Sequence, residues 1–172
     1  MRRVWVGVGA NLGDPAASVR QAIAALAAAP EFASARASRL YETAPWGKTD
    51  QPWFVNAVVE LETDADPDAV LARLFAIERA MGRQRRERWG PRLIDLDYLL
   101  DEAATNEEPH LYLPHKEMEN RAFVLVPLAE LRPEMVLPSG RPIRERAAEL
   151  AASQPVRLAG ATMPPWPSPS SS

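Results

Sequence analysis

The chain has 172 residues, 47% of them hydrophobic and 25% charged, with a formal net charge of −3. This is the composition of one globular domain, so disorder throughout is excluded, and no apolar run reaches the roughly 18–20 residues that a membrane helix needs. Zero cysteines exclude disulfides, thiolate nucleophiles and cysteine-ligated zinc, while two histidines, His110 and His115, are too few for a histidine-rich metal site.

The opening Met1 to Val6 is basic but lacks the apolar stretch of a secretory signal, so a cytoplasmic protein is expected. Arg3–Val8 is rich in β-formers and reads as a first strand. Asp14-Pro15 pairs a capping acid with proline at the first helical position, Val19, Ile23 and Leu26 recur at helical spacing, and Pro30 closes the helix at about Ala29. A second strand is expected over Ala35–Glu42. Pro45, Gly47, Asp50 and Pro52 make Thr43–Pro52 a loop, and Trp53–Thr63 reads as a third strand. Asp66-Pro67 repeats the capping device for a second helix carrying Val70, Leu71, Leu74, Ile77 and Met81, which ends at Gly82.

Arg83–Arg92 has no hydrophobic period and reads as a long charged loop. Ile94–Leu100 alternates apolar and acidic positions like a strand with one buried face. A polar segment, Asp101–Pro109, follows. Arg121–Leu131 reads as helical despite Pro127, and a last short helix is expected from Pro142 to about Ala152. The order gives an α+β fold, a ferredoxin-like βαββαβ antiparallel sheet core with additional C-terminal helices over its other face. A single domain over residues 1–160 is expected, followed by a proline- and serine-rich tail, 161–172, expected to be disordered.

Asp95 and Asp97 stand at i and i+2 of a strand, on one face with Cα atoms about 6.5–7 Å apart. Carboxylates so placed can converge on hard cations, and Mg²⁺ commonly shares such ligands with substrate phosphates. A bare D-x-D is more often a solvated strand face. Here it follows directly on the loop Arg83–Arg92, which holds five of the eighteen arginines. Guanidinium forks suit phosphate, and two or three charged hydrogen bonds of roughly 1.5–3 kcal/mol each would offset the ordering of part of that loop. Gly47-Lys48-Thr49 lacks the rest of a phosphate-binding P-loop, and Gly7-x-Gly9 lacks the third glycine of a dinucleotide turn. Gly7 and Gly9 read as turn glycines.

The net charge argues against a dedicated nucleic-acid binder. An RNA- or nucleotide-binding ferredoxin-like module without catalysis stays open on the residues alone, as does another Mg-dependent phosphotransferase. The first would lose affinity steeply with salt and would need neither Mg²⁺ nor the aspartates.

Five runs carry a family resemblance. They are Gly9-Ala10-Asn11-Leu12-Gly13-Asp14, Tyr41-Glu42-Thr43, Gln51-Pro52-Trp53-Phe54-Val55-Asn56, Arg88-Trp89-Gly90-Pro91-Arg92-Leu93-Ile94-Asp95-Leu96-Asp97, and Pro114-His115 followed by Asn120-Arg121-Ala122-Phe123-Val124-Leu125. In this order, over roughly residues 4–150, the chain resembles the 6-hydroxymethyl-7,8-dihydropterin pyrophosphokinases of folate biosynthesis. The resemblance implies transfer of pyrophosphate from ATP to the pterin alcohol, with release of AMP, by a monomer that binds Mg–ATP first. It implies that Asp95 and Asp97 hold two Mg²⁺ ions and that Arg83 and Arg92 neutralise charge at the reacting phosphorus. Glu78, Arg85, Arg88, Trp89, Arg92, His115 and Arg121 would surround ATP. Phe54 and Phe123 would sandwich the pterin, Asn56 would read its amide-like edge, and Thr43, Ala44 and Trp46 would complete the pocket. His110, Tyr112 and Lys116 depart from the family pattern, which implies altered contacts to the adenosine end.

Overall fold

The central strand pair, β1 (Arg2–Ala10) and β4 (Phe54–Thr63), is antiparallel, with Val6 opposite Val59. The computed structural model describes residues 1–44, 52–82 and 93–159. The remaining elements are α1 (Pro15–Ala28), β2 (Phe32–Ala37), β3 (Tyr41–Thr43), α2 (Pro67–Ala80), β5 (Asp95–Asp101), β6 (Asn106–Glu108), β7 (Leu111–Leu113), α3 (Ala122–Leu131), α4 (Ile143–Ala151) and β8 (Val156–Leu158). The main sheet runs β5-β1-β4-β3-β8, with β2 also paired to β4, and all its pairings are antiparallel.

Both early helices start as their sequence dictates. The carboxylate of Asp14 accepts the Ala17 N–H at 3.1 Å, and that of Asp66 accepts the Ala69 N–H at 2.9 Å, each followed by proline in the first turn. The sheet then sorts its side chains by alternation. Val4, Val6, Val8, Val59 and Leu61 face α1 and α2, which return Val19, Leu26, Val70 and Leu74. Trp5, Val58 and Leu99 face α3 and α4, which return Leu125, Leu128, Ile143 and Leu150. Two aliphatic layers thus enclose one sheet.

The single second strand expected over Ala35–Glu42 is two strands. β2 pairs with the end of β4 from Val59 to Thr63, and β3 with its start from Phe54 to Asn56. Between them the Ser38 N–H donates to the Val58 carbonyl at 2.9 Å, while the Ser38 hydroxyl accepts the Val58 N–H at 3.0 Å. A side chain replaces one rung of the ladder, and the strand breaks there. The polar segment Asp101–Pro109 contains β6, which forms a hairpin with β7. β8 pairs with β3 and was not expected from the sequence. Most of the Thr43–Pro52 loop, the Arg83–Arg92 loop and the 161–172 tail lie outside the described residues. Among the described residues no helix is long and apolar enough to cross a membrane.

Candidate active site

Asp95 and Asp97 alternate along β5 with Leu96 and Tyr98, which are buried in the α1/α2 layer, so both carboxylates stand on the other face of the sheet. Across the β1 ladder Asp95 faces Gly9 and Asp97 faces Gly7. Gly9 is paired on its far side with Asn56, and Asn56 with Tyr41. One row therefore runs Asp95, Gly9, Asn56, Tyr41 across four strands. A β-carbon on Gly9 would come 2.6 Å from Asn56 Oδ1, so only glycine lets the amide lie across β1. The turn role expected of Gly7 and Gly9 is thereby corrected: both lie inside a central strand.

Asn56 is 8% exposed, and its Nδ2 donates to Thr43 Oγ1 at 2.7 Å. Beside them a cleft of about 200 Å³ is lined by Thr43, Ala44, Phe123 and the segment from Ser153 to Val156. Phe54 stands opposite Thr43 at the start of β4, two residues from Asn56 and on the same face. Arg121 is the residue before α3, where the helix N-terminus is positive. Its guanidinium lies 5.5 Å from the Phe123 ring centroid, and its buried Nε has no hydrogen-bond partner among the described residues. A cation so placed favours an anion.

On the outer side of Asp97 a groove of about 310 Å³ is walled by Leu71 and Phe75 of α2 and by His110, Tyr112, His115 and Lys116. The Lys116 Nζ sits 3.9 Å over the Tyr112 ring centroid, and His110 Nε2 lies 2.9 Å from Asp68 Oδ1. His115 is tied to β5 by its N–H, which donates to the Leu99 carbonyl at 2.8 Å. Its Nδ1 accepts the Glu117 N–H at 3.1 Å, so the neutral ring carries its proton on Nε2. Burial holds the His115 pKa below its usual value, with Arg121 adding to the effect and Asp97 and Glu117 opposing it. Near neutral pH it is therefore an uncharged donor.

Glu78, expected on the nucleotide side of α2, lies buried under β5. It is 5% exposed, and its Oε2 accepts the Leu96 N–H at 2.8 Å. Its carboxylate anchors β5 between the two aspartates from the α2 side. Arg83, Arg85, Arg88, Trp89, Arg92 and Trp46 lie outside the described residues. Among the described residues no three histidines, aspartates or glutamates gather as a metal cluster. Asp95 and Asp97 alone would leave most of an octahedral coordination sphere to water and phosphate oxygens, which is the ligand set Mg²⁺ takes in nucleotide sites.

A family model described as 7,8-dihydro-6-hydroxymethylpterin-pyrophosphokinase matches residues 5–133. The 2-amino-4-hydroxy-6-hydroxymethyldihydropteridine pyrophosphokinase of Methylorubrum extorquens is 46% identical over 150 residues, covering 87% of this chain and 94% of its own. The enzyme of the same name from Pseudomonas aeruginosa is 43% identical over 161 residues, covering 94% and 99%. Among solved structures, an HPPK-DHPS in complex with substrates superposes with a TM-score of 0.68 at 14% identity. That match covers 89% of this chain but only 46% of the longer one, and it speaks for the fold alone.

Proposed function

The chain belongs to the 7,8-dihydro-6-hydroxymethylpterin pyrophosphokinase family, whose reaction moves pyrophosphate from ATP to the pterin alcohol, and for that reaction we propose a division of labour between the two sides of the Asp95–Gly9–Asn56 row. The outer groove takes the nucleotide. The cleft beside Thr43 and Phe123 takes the pterin. The observation that carries this assignment is that one row across the sheet joins Asp95, one of the two aspartates, to the buried amide of Asn56, with only Gly9 between them.

Two Mg²⁺ ions bound with ATP would supply charge neutralisation and orientation of the phosphates, and Asp95 and Asp97 are the residues that would hold them. His115 donates from Nε2 without adding charge, and Arg121 offers a cation at the start of α3. Asn56 and Thr43 orient the flat ring by its polar edge, so an analogue lacking the complementary groups would leave buried polar atoms unpaired. Phe54 and Phe123 supply aromatic faces, worth about 0.5–1.5 kcal/mol per good contact beyond the area buried. Ala44 and Trp46 would close the pocket, while Arg83 and Arg92 would stabilise the transferring group and Arg85, Arg88 and Trp89 would cover ATP. The pterin hydroxymethyl oxygen attacks the β-phosphorus, its bond to the bridging oxygen breaks, and AMP and a proton leave.

The strand order supports a ferredoxin-like reading of the core in which β2 and β3 together act as the second strand. We read the enzyme as a monomer of the cytoplasm. Incubation with Mg–ATP and 6-hydroxymethyl-7,8-dihydropterin, with the nucleotide product identified by chromatography, tests the function. AMP is expected, and it should vanish on chelation of Mg²⁺. ADP would reassign the chain as a γ-phosphate kinase, and no turnover with salt-sensitive RNA binding would reassign it as a binding module.

A further inference from the structure

The segment just after α4 touches both walls of the pterin cleft within three residues. Val156 is paired with Thr43 in the β3–β8 ladder. Gln154 reaches the opposite wall: its Nε2 donates to the Asn120 carbonyl at 2.9 Å, and its Oε1 accepts the Ala122 N–H at 2.8 Å. These two backbone groups lie on either side of Arg121. The first turn of α3 has no cap from its own N-terminal residue, so Gln154 supplies one from across the fold. The Gln154 backbone is itself fixed, because its N–H donates to the Leu150 carbonyl at 2.9 Å. Arg146 of α4 adds a second tie, with Nε 2.9 Å from the Glu119 carbonyl and Nη2 3.1 Å from Asn120 Oδ1.

We propose that Gln154 is a positioning residue that sets the spacing between the Thr43 wall and the Phe123 ring, and thereby the affinity for the flat acceptor. The proposal rests on the assignment of that cleft to the pterin. Both polar ends of the Gln154 side chain are committed to backbone, so it acts through the segment it holds. Phe123 transmits a backbone shift directly, since its ring has only two torsions. Arg121 absorbs the same shift along its longer side chain, so the nucleotide end is affected less.

The test is steady-state kinetics on the full chain with Gln154→Met, which keeps the volume and removes both hydrogen bonds, and Gln154→Glu, which keeps the acceptor for Ala122. Asp66→Ala is the control, because it loosens α2 by removing a cap remote from the cleft. Gln154→Met should raise the pterin KM about five- to tenfold, as loss of roughly one hydrogen bond would. Its kcat and ATP KM should stay within about twofold of the parent, the pattern of lost ground-state binding. Gln154→Glu should fall between the two, and it decides the matter alone if Gln154→Met does not fold. Asp66→Ala should lower Tm with the pterin KM unchanged. A parental pterin KM in both Gln154 variants, or the same rise in Asp66→Ala, overturns the proposal while leaving the function standing. Absence of AMP from the parent chain itself overturns the function and this role together.

Discussion

Gly9 and Asn56 show how a single missing methyl group permits a close contact between neighbouring strands. Gly9→Ala would place its new carbon 2.6 Å from Asn56 Oδ1, forcing the amide off Thr43 at a cost of about 1 kcal/mol. The expected outcome is a pterin KM raised about fivefold and a Tm lowered by about 2–4 °C. Gly7→Ala meets the Leu99 side chain first, at an ordinary 3.4 Å, and should leave kinetics near the parent values. Steady-state assays of the two variants side by side check the contrast. At this scale the D-x-D of Asp95 and Asp97 was legible because strand alternation is local information. Gly9 was misread because its importance comes from Asn56, 47 residues further along the chain on the neighbouring strand. The contact of Glu78 with β5 was not legible for the same reason: its burial depends on α2 lying against β5, which helical periodicity does not encode.

Among the elements, β5 carries both aspartates of the proposed metal site, and it is held from two directions. Gly7 and Gly9 of β1 pair it on one edge, and Glu78 of α2 takes the Leu96 N–H between the two aspartates. Glu78→Ala should therefore lower stability by about 1–3 kcal/mol, the cost of a buried N–H left without its acceptor, and lower turnover as well. Asp97→Ala should abolish turnover and leave Tm within a few degrees, because a half-exposed carboxylate contributes little to folding. Thermal melts combined with the AMP assay separate these two outcomes. The helices were legible from their caps, since Asp14-Pro15 and Asp66-Pro67 carry both the acceptor and the fixed φ within two residues. The β6–β7 hairpin and β8 were not legible. Each has only three residues, too few for an alternation, and their partners are set by tertiary placement.

For the molecule as a whole, Glu60 joins parts that the sequence leaves far apart. It accepts from Trp5 Nε1 at 3.0 Å and from Arg132 Nε and Nη2 at 2.6 and 2.9 Å, with Arg36 at 3.8 Å. Burial pushes its pKa up, but the hydrogen bonds from Arg132 and Trp5 outweigh that and hold it below the usual carboxylate value of 4.5. A lowered folded pKa means that the contribution is complete above about pH 4.5 and is lost as pH falls through the folded value. The Tm gap between the parent and Glu60→Gln should accordingly narrow between pH 7 and pH 3, as scanning calorimetry would record. Deletion of residues 161–172 should leave the AMP assay unchanged, whereas deletion from Val156 onward should raise the pterin KM by stripping β8 from β3. The closing of the sheet's far edge by the last described strand, β8, was not legible, because its pairing with β3 is set by tertiary placement. The layer beneath α1, built from Val19, Ala22 and Leu26 against Val6 and Leu61, contains no residue assigned here to either substrate. Anyone wishing to harden this catalyst against heat can therefore start from these α1 contacts, leaving alone α2, whose Leu71 and Phe75 wall the outer groove and whose Glu78 holds β5.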